Sequence, residues 1–254
     1  MEKVLESNLN VQDLTIVITA QQLNPTMLTP DFLQYSGIVP TDWTLAQPPR
    51  TGAPLIFQNG VRIQAQANRV VFSEPIAAKE TQEVMIPAVA RKYIETLPNV
   101  SYQALGINLL GFVPFAGDEQ GAHDYIFKRL LATGPWSEFG KARVGAALKF
   151  TYALEQAQLN LDINEARLRL SKDEEIAALL FAANFNWRIA GQVQSERLAF
   201  MGRVVGNWAA NLKVYRDMVN SKFLGLQSEQ AAPDGGEAVS GASNGTPQQP
   251  AQVG

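Results

Sequence analysis

The 254-residue sequence contains no cysteine and a single histidine, His123. Without cysteine the protein has no disulfide, thiolate metal site or thiol nucleophile, and one imidazole is too few for a three-histidine metal site. The phosphate-binding patterns G-x-G-x-x-G and G-x-x-x-x-G-K-[ST] are also missing. These absences exclude the commonest nucleotide-binding and thiol-based sites, and they fit a reducing compartment.

Long apolar runs and a strong charge of either sign are lacking as well. No stretch approaches the roughly 18 apolar residues of a membrane span, and the first ten residues lack the basic and apolar regions of a signal peptide. Lys and Arg number 21 against 24 Asp and Glu, a net charge of −3, so no positive field attracts nucleic acid. We therefore expect a cytoplasmic protein with no nucleic-acid partner and no membrane span.

The clearest local pattern lies at residues 53–75, APLIFQNGVRIQAQANRVVFSEP. Asn59-Gly60 predicts a two-residue hairpin with a type I′ turn, which needs positive φ at both central residues. The chain then alternates, and one side of the following strand is polar, with Arg62, Gln64 and Gln66. A second turn at Ala67-Asn68 completes a predicted three-stranded meander.

Apolar spacing predicts the remaining elements. β-branched or alternating patterns predict strands at 14–20, 100–115, 144–170 (two strands with a turn near residues 155–156) and 179–189. Three- and four-residue spacing predicts helices at 30–36, 80–97 and 118–131, and a long helix from Ser195 to about Leu224. Pro87 either lies in the first turn of the second helix or kinks it.

The order of elements is similar in the two parts of the chain: strand, helix, strands, helix. This order predicts an α+β protein of two ferredoxin-like-type halves, with antiparallel sheets backed by helices on one face. We place the first half at 1–116, the second at 117–226 ending in the long helix, and a disordered tail at 227–254, whose composition is mainly small and polar. The order is loosely similar to that of an uncharacterised bacterial family of similar length, from which nothing functional is transferred.

His123 is the one candidate cofactor ligand. Two joined ferredoxin-like halves also occur in the haem-dependent chlorite dismutase family, and a resemblance to that family implies His123 as the iron ligand. The other interpretation is an exposed or capping side chain near a helix N-terminus, next to Asp124.

Two features favour partner binding. The polar sides of the predicted strands are rich in carboxamides and carry few charges: Arg62, Gln64, Gln66, Gln158, Asn160, Asn184, Asn186 and Arg188. Because amides both donate and accept hydrogen bonds, such a surface either meets a partner without charge pairing or is simply solvated. Gly202 and Gly206, four residues apart, form a small-residue groove that packs on the protein's own sheet or on a second backbone.

The sequence thus predicts a non-enzymatic protein-interaction, scaffold or adaptor module without a cofactor. It self-associates or binds a protein partner through the amide-rich surface and the helix with Gly202 and Gly206. The alternative is a small-molecule or haem-type cofactor-binding protein or enzyme that uses a cavity between the halves, with His123 as ligand. An enzyme that uses only Arg, Asp, Glu or Tyr is a third interpretation, so enzymatic activity is left open.

Overall fold

The fold is built from long strands in which buried and exposed side chains alternate. The computed structural model describes residues 8–132, 134–169, 171, 174–189 and 193–226. Its strands are β1 (Asn10–Gln21), β2 (Leu55–Ile56), β3 (Arg62–Gln66), β4 (Arg69–Pro75), β5 (Ser101–Phe115), β6 (Ala147–Ala153), β7 (Gln158–Arg169) and β8 (Glu175–Arg188). Its α-helices are α1 (Pro30–Tyr35), α2 (Ile86–Thr96), α3 (Gly121–Tyr125), α4 (Gln194–Gly206) and α5 (Trp208–Asp217).

All eight strands belong to one sheet, in the order β2-β3-β4-β1-β5-β8-β7-β6, and every neighbouring pair is antiparallel. The prediction of an α+β protein with antiparallel pairing is confirmed. Two ferredoxin-like halves are not confirmed, because β5 pairs with β1 along one side and with β8 along the other. The two parts of the chain therefore share a single sheet.

The helices contribute to a core on one face of the sheet. Alternate strand residues such as Ile16 and Phe181 are fully buried, and they form one cluster with Tyr93 of α2 and Tyr215 of α5. The Tyr215 hydroxyl donates a hydrogen bond to the Phe181 carbonyl at 2.7 Å, which ties α5 to β8. No helix in the described part of the chain is long and apolar enough to cross a membrane.

One long C-terminal helix is not confirmed, because α4 ends at Gly206 and α5 begins at Trp208. Asn207 has φ −94° and ψ 16°, outside helical geometry, and α5 begins at the next residue, the buried Trp208. A π-helical turn, Met218–Phe223, follows α5. Gly206 and Asn207 are consecutive weak helix formers, which favours an interruption of the helix at this point.

The hairpin predicted at Asn59-Gly60 is present, but the prediction of a type I′ turn is wrong. Of the two turn residues, only Gly60 has positive φ, at 88°. The Phe57 N–H donates to the Val61 carbonyl at 2.9 Å, so the loop has three residues. Three-residue loops with a left-handed glycine are also common in hairpins. The Asn59 side chain instead accepts a hydrogen bond from the Val61 N–H at 3.1 Å.

Pro87 and Gly111 each have a clear physical role in the fold. Pro87 lies in the first turn of α2, which is the first of the two predicted alternatives and avoids any kink. At Gly111 of β5, a Cβ atom would lie 3.0 Å from the Asn10 carbonyl oxygen and 2.8 Å from Leu9 Cδ1. Glycine therefore permits the close approach of β1 and β5.

The helix predicted at 118–131 is shorter than expected. It consists of α3 followed by a π-helical turn, Ile126–Leu130. The tail predicted at 227–254 lies outside the described residues.

Glu74 of β4 is the one charged residue that is buried among the described residues. Its carboxylate accepts hydrogen bonds from Lys79 Nζ at 2.5 Å and from the N–H groups of Met85 and Ile86 at 2.8 and 2.9 Å. These N–H groups lie at the start of α2, where the helix dipole favours a negative charge. Glu74 therefore fixes the start of α2 against the sheet.

Replacing Glu74 tests this role. We expect Glu74→Ala to lower the free energy of unfolding by about 3 kcal/mol, because an ammonium and two N–H groups lose their acceptor. Urea denaturation followed by tryptophan fluorescence measures the change. Glu95→Ala removes an exposed ion pair with Arg91 and is the control, expected to cost less than about 0.5 kcal/mol. Equal losses in the two variants would contradict the role of Glu74.

Stability should also fall at high pH because of Tyr93. Burial raises the pKa of Tyr93 to about 12, whereas a tyrosine in the unfolded chain ionises near pH 10. The unfolded state therefore loses its proton first, and stability present below about pH 10 is lost as the pH rises toward 12.

We expect Tyr93→Phe to reduce this alkaline loss by about 2 kcal/mol between pH 10 and 12. Urea denaturation across that range measures the loss in each variant. Tyr35, which is 96% exposed, provides the control, and Tyr35→Phe should leave the pH dependence unchanged. An identical pH dependence in the wild type and Tyr93→Phe would show that Tyr93 does not cause the loss of stability at high pH.

Candidate partner-binding face

The face of the sheet opposite the core, here called the open face, carries the side chains that alternate with the buried ones. It includes all eight predicted strand residues: Arg62, Gln64, Gln66, Gln158, Asn160, Asn184, Asn186 and Arg188. All eight are at least partly exposed. Residues predicted on the polar sides of separate strands thus lie on the same face of one sheet.

A row of polar side chains crosses the centre of the open face because the strands pair in register. Each residue of the row is directly opposite the next on the neighbouring strand. We call this set the amide row: Arg62, Ser73, Thr15, Asn108, Asn184, Asn160 and Thr151. Opposed side chains on paired strands start about 5 Å apart, so short amides can reach one another.

Hydrogen bonds run in one direction along part of the amide row. Thr151 Oγ1 and Gln158 Nε2 each donate to Asn160 Oδ1 at 3.0 Å. Asn160 Nδ2 donates to Asn184 Oδ1 at 3.4 Å, and Asn184 Nδ2 donates to Asn108 Oδ1. The Asn108 side chain accepts this bond through Oδ1, and its Nδ2 group donates to no described residue. The bonded part of the row therefore ends in an available donor near the middle of the sheet.

A concavity of about 450 Å³ lies at this end of the bonded chain. Asn108 and Asn184 line it together with Arg62, Asp13 and Asp162. Arg62 is exposed and forms no ion pair with any described residue. The concavity thus combines amide groups with one arginine and two aspartates, of which Asp162 lies 4.0 Å from Lys149 Nζ.

Sequence reasoning missed three residues at this concavity: Asn108, Asp13 and Asp162. Asn108 lies in the apolar stretch Ile107–Leu110, which is typical of a buried strand and hides the alternation. A lone asparagine between apolar neighbours was the available signal. Asp13 is at the polar start of β1, and Asp162 lies between Leu161 and Ile163 on the same alternating strand as Asn160.

His123 lies on α3 and contacts β7. Its Nδ1 atom is 2.9 Å from Glu165 Oε1, and its ring stacks on Phe127 with a centroid distance of 4.1 Å. Its side chain is 12% exposed. Four concavities of about 450 to 590 Å³ in the described part of the chain are lined by other residues. The observed contacts of His123 join a helix to the sheet.

No group of three His, Asp or Glu side chains among the described residues is arranged to hold a metal ion. Trp43, a large aromatic in the connection between α1 and β2, packs edge-on against Phe57 at 5.2 Å.

Gly202 and Gly206 line a concavity of about 590 Å³ beside α2, with Arg91 and Glu95. Apart from neighbouring residues and the backbone of its own helix, a Cβ atom at either glycine would have no atom within 4 Å. Neither glycine therefore packs closely on the sheet or on another described element. Because the concavity lies between helices, this predicted feature and the open face are separate surfaces.

The amide row should contribute to stability through Asn184, which both donates and accepts within it. We expect Asn184→Ala to lower the free energy of unfolding by about 1 to 2 kcal/mol, because Asn160 loses an acceptor and Asn108 a donor. Asn186→Ala, on the same strand and face but without a side-chain hydrogen bond to a described residue, should change it by less than about 0.5 kcal/mol. Urea denaturation compares the two, and equal effects would contradict a bonded row.

No protein-family model matches the chain, and no curated protein is significantly similar to it in sequence. Its function is therefore inferred from the open face and the amide row.

Proposed function

We propose that the protein is a non-enzymatic interaction module that binds a protein partner through its open face and that also self-associates. The amide row carries this proposal, because its hydrogen bonds lead to the available Nδ2 donor of Asn108 beside a concavity. A main-chain carbonyl of a partner is a suitable acceptor for such a donor.

The chemistry of the amide row suits binding. Carboxamide and hydroxyl side chains keep one protonation state near neutral pH, whereas acid–base catalysis needs groups that exchange protons in that range. They donate and accept at once, so a partner surface with mixed polar groups can be matched without pairing charges. We expect the partner groups that meet these amides and hydroxyls to be polar and uncharged.

The hydrogen bonds within the row also hold its side chains before any partner arrives. Asn160 and Asn184 are each bonded on two sides. Side chains that are already ordered lose less conformational entropy on binding, so a preorganised row supports higher affinity than the same residues free in solvent. The charges of Arg62 and Asp162, which line the concavity at different strands, can then orient the partner.

The direct test is to place carboxylates in the middle of the amide row. We expect Asn108→Asp/Asn184→Asp to reduce the amount of partner protein that co-purifies with the full chain by at least tenfold, because two charges would be buried without partners at the interface. Quantitative mass spectrometry of the co-purified proteins compares this variant with the wild type.

Asn99→Asp/Asn211→Asp adds the same charge at residues outside the sheet and is the matched control, expected to retain the wild-type partners. Proteins lost from the double variant on the open face but kept by the control support the proposal. Recovery of the same proteins with both variants, or the absence of any co-purifying protein, would contradict partner binding through the open face.

A further inference from the structure

The last strand of the sheet, β6, has one edge that no described residue covers. At the β6–β7 turn, the Leu154 N–H donates to the Ala157 carbonyl at 2.8 Å, which makes this a hydrogen-bonded pair. Hydrogen-bonded pairs alternate along an antiparallel ladder. The backbone groups of Leu148, Phe150 and Tyr152 therefore face β7, and those of the odd-numbered residues face outward.

These outward N–H and C=O groups belong to Ala147, Lys149, Thr151 and Ala153, and no described residue forms a hydrogen bond with them. An unpaired strand edge is a template for adding another strand. The strand ALKFTYA contains no proline or glycine, and its one charge, Lys149, is on the open face. Its side chain thus projects out of the sheet and leaves the hydrogen-bonding edge clear.

The opposite edge of the sheet is different. There β2 has only two residues, and the chain at 44–46 runs along it. The Ala46 N–H donates to the Ile56 carbonyl at 2.8 Å, and the Gln58 N–H donates to the Thr44 carbonyl at 2.9 Å. Two prolines follow at 48 and 49, which further limits strand addition. Strand addition is therefore favoured at β6.

The core-facing side of β6 is apolar and only partly covered. Leu148, Phe150 and Tyr152 are half-buried, although their counterparts on β7 and β8 are fully buried. The Phe150 ring meets Phe223 edge-on at 5.4 Å and lies 6.4 Å from Tyr152. A strand added beside β6 would cover these side chains if its own core-facing residues were apolar.

We propose that β6 pairs antiparallel with β6 of a second copy, with the twofold axis at Phe150. This inference rests on the self-association in the proposed function and identifies its surface. In this register Ala147 lies opposite Ala153 of the second copy and Lys149 lies opposite Thr151 of the second copy. The twofold axis repeats both pairs, which gives four pairs in all. Each pair exchanges two hydrogen bonds, about eight in all.

The register follows from charge and from the apolar row. A twofold axis at Lys149 would place the two lysines directly opposite each other, which is destabilising. An axis at Thr151 would leave Ala147 outside the ladder and lose about two hydrogen bonds. The axis at Phe150 keeps the full ladder and sets Phe150 against its copy at a position where opposed side chains are closest.

The symmetry has a consequence for the open face. A twofold axis perpendicular to the sheet keeps the same face of both copies on the same side. The two amide rows would therefore lie on one continuous sheet of sixteen strands, and the dimer would present two partner-binding surfaces in a fixed orientation.

Position 151 tests this register with two variants of opposite charge. Thr151→Glu and Thr151→Lys both remove the hydroxyl donor to Asn160, so their effects on the amide row match. In the proposed register, residue 151 is opposite Lys149 of the other copy, twice in each dimer. We expect the dimer dissociation constant to fall roughly fivefold to tenfold with Thr151→Glu and to rise by a similar factor with Thr151→Lys. Sedimentation velocity over a concentration series of the full chain measures both.

Each outcome decides between the two proposals. Opposite shifts in the two variants support the edge pairing. If the wild type dimerises and both variants have the same dimer dissociation constant as the wild type, the β6 interface is overturned and self-association stands. Weaker dimers in both would overturn the register, because an axis at Thr151 sets like charges opposite each other in either variant. A monomer at every concentration would overturn the pairing together with the proposed self-association, whereas partner binding through the open face is tested separately.

Discussion

The pairing of β5 with both β1 and β8 is the constraint on which the rest of the structure depends. Through it, the strands before residue 116 and those after residue 146 form one sheet. Because side chains alternate with a period of two, this in-register pairing fixes which residues face the core and which face outward across all paired strands. A shift of one residue between β5 and β8 would break the amide row and expose Phe181 and Phe185.

The same constraint separates two kinds of polar group. Glu74 is on the core side of β4, where its charge is compensated by Lys79 and by the start of α2. On the open face, the amides and hydroxyls at the centre of the amide row bond to one another and retain a donor at Asn108. The first arrangement stabilises the fold, whereas the second supplies a surface with unused hydrogen-bonding capacity. This contrast supports the proposal that the open face binds a partner.

Local patterns in the sequence predicted much of this arrangement. Alternation placed Arg62, Asn160 and Asn184 on the polar side of their strands, because period-two patterning is a property of each strand alone. It could not show that Asn108 and Asn184, 76 residues apart, are neighbours, since strand order depends on contacts distant in the chain. Asn108 itself was missed for a local reason, because β5 has apolar side chains on both faces and its alternation is hidden.

Other differences come from competition between local and tertiary effects. Apolar spacing continues through residues 195–224, but the predicted helix is interrupted at the weak helix formers Gly206 and Asn207. At Asn59-Gly60 the sequence signal located the hairpin correctly, but the hydrogen bond from the Phe57 N–H to the Val61 carbonyl closes a loop of three residues instead of two. Turn type is thus less predictable than turn position.

The central claim is that one continuous sheet carries the open face from β3 to β6. Gln64 and Ala153 lie in one transverse row of that face, six strand spacings apart, about 29 Å at 4.8 Å per spacing. The absence of native cysteine allows spin labels at Gln64→Cys and Ala153→Cys alone. Double electron–electron resonance, with excess unlabelled protein to dilute intermolecular pairs, should give one narrow distribution at about 25 to 35 Å. A broad distribution, or one centred well beyond this range, would contradict the single sheet.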